Sequence, residues 1–302
     1  MNPIYLELSF DELINIRDNL FLILENCEIC PRKCHVNRIK GEKGYCKLGK
    51  SAFVFSYGPH FGEESVLVGV NGSGTIFFTS CNLSCVFCQN YEISQYRRGD
   101  EIAPEELASI MLKLQTMGCH NINLVSPTPQ ISAIVESTII AREKGLKIPM
   151  VYNTNAYDSL ETLRIINGII DIYMPDAKYS DNTNAEKYSD APEYFEVMKN
   201  AIREMQNQVG NLQCNKLGIA ERGLIVRHLV LPNKIAGTEI IMKFLSEEIS
   251  KNVFLNIMDQ YYPCFKAFNF KEISRKITKE EYEEVVSIAR KYDLKKIYGK
   301  NI

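Results

Sequence analysis

The sequence predicts an α/β fold built on a largely parallel sheet. Apolar strand-like runs alternate with helix-like stretches from residue 74 onward. The strand runs are nearly continuous in apolar residues, as expected when both faces of a sheet are covered. Polar and cysteine-bearing segments follow those runs at their carboxyl ends, where α/β folds gather their sites. The 302 residues suffice for one large α/β domain or two ordinary ones.

Residues 9–26 read as a helix, opened by Ser9 and Glu12 at capping-box spacing and carrying Leu13, Ile16, Leu20 and Leu24 near helical period. A cysteine-rich loop runs to about residue 50, followed by short strand-like pieces in "AFVFSYG" and "SVLVGV". "GTIFFTS" reads as a buried strand. Residues 104–118 form a helix with Pro104 in its first turn and Gly118 at its end. Strands follow at 121–125, 148–154, 169–174, 224–231 and 253–258. Helices fill 130–144, 158–167, much of 184–208, and 238–250. Thr278 and Glu281 make a second capping box that opens a last helix to about residue 292. These patterns leave open whether the sheet is doubly wound or curled into a barrel.

Hydrophobic content is 45% and formal net charge is −2, which gives no global drive toward nucleic acid or an anionic membrane. No signal-peptide pattern opens the chain, and no apolar run approaches the roughly 18 residues of a membrane span. A cytoplasmic location is expected. Seven of the ten cysteines precede residue 90, and in a reducing compartment such clustering favours metal over disulfide.

Cys81, Cys85 and Cys88 lie in "CNLSCVFC", directly after the first core strand. Three thiolates on one tight loop can bind three irons of a cubane and leave the fourth iron open for chemistry. A zinc site completed by a distant ligand is the alternative. The C-x3-C-x2-C spacing, with Phe87 before the last cysteine, resembles the signature of the radical S-adenosylmethionine (SAM) superfamily. That resemblance implies a 4Fe–4S cluster, SAM bound to its open iron, and reductive cleavage of SAM to a 5′-deoxyadenosyl radical that takes hydrogen from a substrate.

Within that superfamily the chain resembles relatives of pyruvate formate-lyase activating enzyme, in their PflX-type branch. The phrases "CPRKC", "HFGEE", "NINLVSPTP", "VYNTNAY", "DIYMPDAKYSD" and "RGLIVRHLVLPN" carry the likeness. It implies a partial (β/α)6 barrel over residues 51–265, an amino-terminal metal-binding segment over 1–50, and a carboxy-terminal helical extension over 266–302. It further implies a SAM-binding set of Phe87, Asn90, Ser126, Thr128, Asn153, Thr154, Asn155, Asp176 and Arg227. Met174, Asp176 and Lys178 resemble an M-x-D-x-K pattern in which the lysine lies near substrate. Lys178 and Arg227 are therefore the expected catalytic residues. His228, next to Arg227, faces the other side of a strand and is its rival. The activases carry Gly-Gly-Glu after the second strand; this chain has Ser126, Pro127, Thr128 and Pro129 there. The implied partners are an electron donor such as flavodoxin or ferredoxin and a protein substrate with a glycyl radical. Modification of another peptide or a small molecule is an alternative. A non-catalytic iron–sulfur carrier or zinc-bound interaction module is an alternative of another class.

Cys27, Cys30, Cys34 and Cys46 make a second cluster with enough thiols to close a tetrathiolate site, holding zinc or an iron–sulfur cluster. The loop also carries Arg32, Lys33, Arg38, Lys40, Lys43, Lys47 and Lys50, either a docking face for an acidic donor or a plain solvated face. His35 reads as a surface residue. His60, Glu63 and Glu64 line a substrate mouth or form a turn. Tyr91, Tyr261 and Tyr262 pack or wall the site. Cys119, Cys214 and Cys264 read as single thiols.

Overall fold

The computed structural model describes residues 1–299. Its strands are β1 (Ala52–His60), β2 (Ser73–Phe78), β3 (Asp100–Ile102), β4 (Ile122–Val125), β5 (Met150–Thr154), β6 (Ile172–Pro175), β7 (Gln213–Cys214), β8 (Ala220–Leu229), β9 (Phe254–Met258) and β10 (Lys296–Tyr298). Its α-helices are α1 (Phe10–Glu25), α2 (Ser65–Val68), α3 (Tyr91–Ser94), α4 (Pro104–Thr116), α5 (Ile131–Glu143), α6 (Leu160–Ile165), α7 (Asn182–Ser189), α8 (Tyr194–Val209), α9 (Thr238–Phe244) and α10 (Lys279–Lys291).

The sheet runs in the order β10-β9-β8-β6-β5-β4-β2-β1-β3, with the short β7 on β8. From β2 through β4, β5, β6 and β8 to β9 every pairing is parallel and follows chain order. Six parallel strands in chain order, with β9 unpaired to β2, are the arrangement of a partial barrel. The sheet is mixed, because β1 lies antiparallel on β2 and β3 antiparallel on β1.

Local chemistry explains several boundaries. Both expected capping boxes form, at Ser9/Glu12 and at Thr278/Glu281. Pro104 stands in the first turn of α4, and its fixed φ suits that place. Gly74 lets β2 lie close to its neighbours, because a Cβ there would sit 2.5 Å from the Asn121 carbonyl oxygen.

Three expectations need correction. "SVLVGV" is not a strand; Ser65–Val68 is a single helical turn. The long helix over 184–208 is two helices, broken where Pro192 lies between Asp190 and Glu193, both at positive φ. The carboxy-terminal extension is not purely helical, since β10 adds a parallel strand to β9.

Two apolar cores result. The main one lies between sheet and helices and reaches from Tyr5 and α1 to α10 and Leu294, so both terminal extensions pack on it. The smaller one fills the lower barrel with Leu67, Val151, Ile172, Met174 and Ile225. Leu67 belongs to α2, which therefore stoppers the lumen at the amino ends of the strands. Asn121 Nδ2 holds this plug through the Leu67 carbonyl at 2.9 Å. No helix among the described residues is long and apolar enough to cross a membrane.

Candidate active site

Above the apolar stopper, at the carboxyl ends of the strands, lies a cavity of about 270 Å3. Cys81, Cys85 and Cys88 line it, on the loop that leaves β2. Each sulfur meets a polar group. Asn155 Nδ2 and the Leu83 amide donate to Cys81 Sγ at 3.3 and 3.4 Å. Ser189 Oγ donates to Cys85 Sγ at 3.1 Å, and Ser94 Oγ lies 3.2 Å from Cys88 Sγ. Burial pushes all three thiols up, Cys81 to about 12. A positive metal group offsets that burial, because the thiolate is the metal ligand. The donor set thus fits an iron–sulfur cluster. Among the described residues, no three Cys, His, Asp or Glu side chains are gathered as the site of a single metal ion.

Facing the cysteines is an ionic cluster. Arg227 Nε donates to Asp176 Oδ1 at 2.7 Å, and its Nη2 donates to Asn153 Oδ1 at 2.7 Å. Lys178 Nζ donates to Asp176 Oδ2 at 2.6 Å. Burial disfavours the Asp176 carboxylate, but Arg227 and Lys178 overcome it and hold its pKa below the usual range. Burial likewise opposes the Lys178 charge, yet Asp176 and the nearby Cys85 push its pKa up. Two cations, Arg227 and Lys178, thus stand at the cavity wall on either side of the Asp176 carboxylate, and Arg227 also faces Glu63.

Phe87, Asn90, Ser126, Asn153, Thr154, Asn155, Asp176, Lys178 and Arg227 all line this cavity. Thr128 does not. Its hydroxyl is spent on Asp158 Oδ1 at 2.7 Å, inside a buried knot where Tyr152 and Thr154 also donate to Asp158. The expected SAM contact from Thr128 is corrected accordingly: an already committed hydroxyl pins the loop instead. Asn155 reaches the cavity but spends its amide on Cys81 and on Asn82 Oδ1. Met174 lies below, in the lumen core.

His228 points away from the cavity, as strand alternation expects. Its Nδ1 lies 2.7 Å from the Ala177 carbonyl oxygen and its Nε2 lies 2.9 Å from Thr238 Oγ1. The first contact requires a proton on Nδ1, so Nε2 accepts from the threonine and the ring is neutral. Burial drives its pKa down to about 4. The unfolded ring titrates near 6.5, so the unfolded chain binds the extra proton between those values. Stability from this residue is full above about 6.5 and is lost as pH falls toward 4, by an amount of order 3 kcal/mol. In His228→Gln that part of the slope is expected to vanish; urea melts at pH 6.5, 5.5 and 4.5 check it.

His60, Glu63 and Glu64 do not line a mouth. His60 ends β1, and Glu63 and Glu64 lie in the short link from it to α2, on the plug side. Glu63 Oε2 lies 3.7 Å from Arg227 Nη1, and Asn256 Nδ2 donates to Glu64 Oε1 at 2.8 Å. Burial pushes the Glu63 pKa up, partly opposed by Arg227. Tyr91 stacks on Phe265 at 4.9 Å, and Tyr261 packs edge-on against Phe87 while its hydroxyl donates to the Ile273 carbonyl. Tyr262 is exposed. Cys264 Sγ donates to the Phe87 carbonyl at 3.3 Å; Cys119 is buried and Cys214 exposed. Val125, Leu229 and Met258 form an apolar wall that the sequence reading missed. Alternation signals them, since each stands two residues beyond an inward polar residue, namely Asn123, Arg227 and Asn256.

Residues 75–219 match the family model described as the radical SAM superfamily. The chain belongs to that superfamily. This radical SAM protein is 36% identical over 298 residues to MJ0674, an uncharacterised protein of Methanocaldococcus jannaschii, covering 95% of this chain and 80% of that one. It is 25% identical over 266 residues to MJ0808 of the same organism, also uncharacterised, covering 80% and 71%. Among solved structures it is similar to HydG, a maturase of FeFe hydrogenase, with a TM-score of 0.51. That match has 12% identity and spans 98% of this chain and 64% of HydG, so the likeness is one of fold. Superfamily membership implies a 4Fe–4S cluster and SAM, and the three cysteines with their sulfur-directed donors are the residues that would hold the cluster.

Proposed function

We propose that this radical SAM enzyme abstracts hydrogen from a segment of a partner protein, a glycyl radical enzyme being the first candidate. When bound, the cluster and SAM supply a 5′-deoxyadenosyl radical for that step. The supporting observation is a second cleft beside the first. It has a volume of about 400 Å3, carries Phe55, Phe77 and Tyr91 on its walls, and shares Gln89, Asn90 and Ile93 with the cysteine cavity. An aromatic cleft leading to a polar cavity suits a chain segment whose neighbours bind outside while one residue reaches in.

The side chains divide the remaining work. Asp176 and Asn153 hold the Arg227 guanidinium rigid, so that it can receive an anionic group without reorganising. Asp176 restrains Lys178 at the cavity wall. Val125, Leu229 and Met258 keep water from the reacting region. Lys33, Lys40, Lys43, Lys47 and Lys50 are exposed, whereas Arg32 and Arg38 turn inward. The exposed lysines suit docking of an acidic electron donor such as flavodoxin or ferredoxin.

The test is anaerobic incubation with dithionite and SAM plus a glycyl radical protein deuterated at glycine. Deuterium in 5′-deoxyadenosine is the expected result. Transfer from a deuterated small-molecule extract, with none from protein, overturns the protein-substrate reading.

A further inference from the structure

Cys27, Cys30, Cys34 and Cys46 line one cavity of about 10 Å3, separate from the cleft described above. That is about the space of one small sphere. The chain is shaped to close around it. The Cys27 amide donates to the Val36 carbonyl at 3.0 Å and the His35 amide to the Cys27 carbonyl at 3.1 Å, which folds residues 27–36 back on themselves. Gly44 passes against Cys34 so closely that a Cβ would lie 2.6 Å from its Cβ and 2.7 Å from its sulfur. The Tyr45 amide then donates to Cys34 Sγ at 3.3 Å.

Charge supplies an independent argument. Arg38 is only 1% exposed, the largest side chain so fully buried. Its guanidinium donates to the Gly49 carbonyl at 2.9 and 2.5 Å and to the Pro129 carbonyl at 2.8 Å, and its Nη1 lies 3.9 Å from Cys27 Sγ. These partners are carbonyls and a sulfur, with no carboxylate among them. A buried cation needs a nearby anion, and four neutral thiols do not provide one. Four thiolates around a divalent ion carry two net negative charges and do.

We propose that Cys27, Cys30, Cys34 and Cys46 bind a single zinc ion, balanced by buried Arg38, that braces the loop carrying Cys81. As they stand no three of these side chains are gathered around one point, so binding turns the thiols inward about χ1 and releases their protons to solvent. The brace is direct. Ser80 Oγ donates to the Cys46 carbonyl at 2.6 Å, and Arg32 Nε donates to the Asn82 carbonyl at 2.9 Å, on either side of Cys81. The Arg32 guanidinium also lies 3.8 Å over the Tyr45 ring. Arg38 carries the link on to Pro129, at the end of the Ser-Pro-Thr-Pro loop.

The experiment removes the other cysteine site first. The full-length Cys81→Ala/Cys85→Ala/Cys88→Ala protein is purified anaerobically and its zinc, iron and sulfide are measured, so the result does not depend on SAM chemistry. One zinc per chain without iron is expected, together with the visible ligand-field bands of a tetrahedral thiolate site after exchange for Co2+. Cys34→Ser is expected to lose the ion. Arg38→Met, which leaves all four ligands in place, is expected to surrender zinc to a chelator about 10- to 100-fold faster. Should Cys34→Ser fail to fold, the Co2+ spectrum of the triple variant decides. Iron and sulfide in that variant, absence of thiolate–cobalt bands, or zinc fully retained by Cys34→Ser each overturn the proposal.

Discussion

Cys85→Ala is expected to reduce 5′-deoxyadenosine formation to the uncatalysed background. Cys85 lies between Ser189, which donates to its sulfur, and the Lys178 ammonium, which stabilises its thiolate. Removing that sulfur would leave only Cys81 and Cys88 of the three cysteines that would hold the cluster. Iron and sulfide bound at this site are expected to fall with activity. Cys264→Ala is the informative companion. Its thiol is close enough to bond the Phe87 carbonyl but lies outside the C-x3-C-x2-C loop. It should keep iron, sulfide and SAM cleavage. Loss of the cluster in Cys264→Ala, or its retention in Cys85→Ala, would remove the three-cysteine assignment.

Arg227→Met should cost about 3–5 kcal/mol of folding stability, because the loss leaves buried acids without their cation. Arg227 is the shared partner of Asp176, Asn153 and Glu63. Lys178 remains beside Asp176 and limits the damage there, while Glu63 keeps only the His60 ring at 3.4 Å, which is a cation only when protonated. The double variant Arg227→Met/Asp176→Asn should recover part of the loss, since it removes the charge that the single variant strands. Urea melts of the two singles and the double measure the coupling. Additive losses would mean that the two side chains do not act as a unit. SAM binding, followed by isothermal titration, should weaken in both variants that lack Arg227.

Much of this architecture is legible in the residues themselves. Continuous apolar runs reveal buried parallel strands, and Ser9 with Glu12 or Thr278 with Glu281 announce helix starts, because those signals act within a few residues. Failures arise where a distant partner decides. "SVLVGV" is too short for its period to separate strand from helix, and its fate is set by the lumen it plugs. Pro192 offered a local warning of the break between α7 and α8. β10 is legible only once β9 is there to pair with it. At the site, strand alternation separates Arg227 from His228. It is silent about Thr128, whose hydroxyl is claimed by Asp158 thirty residues later. Nor does local pattern bring Glu63 to Arg227, since those residues meet only across a closed plug.

That plug governs traffic. With α2 and its apolar partners stopping the amino end, the cysteine cavity is left to be reached from the carboxyl end and the aromatic cleft beside it. Whatever occupies the deeper berth beside the cysteines must arrive before the molecule that covers it and depart after it. Under the proposed chemistry the order of binding would be first in, last out, with the substrate segment standing between the cysteine cavity and solvent.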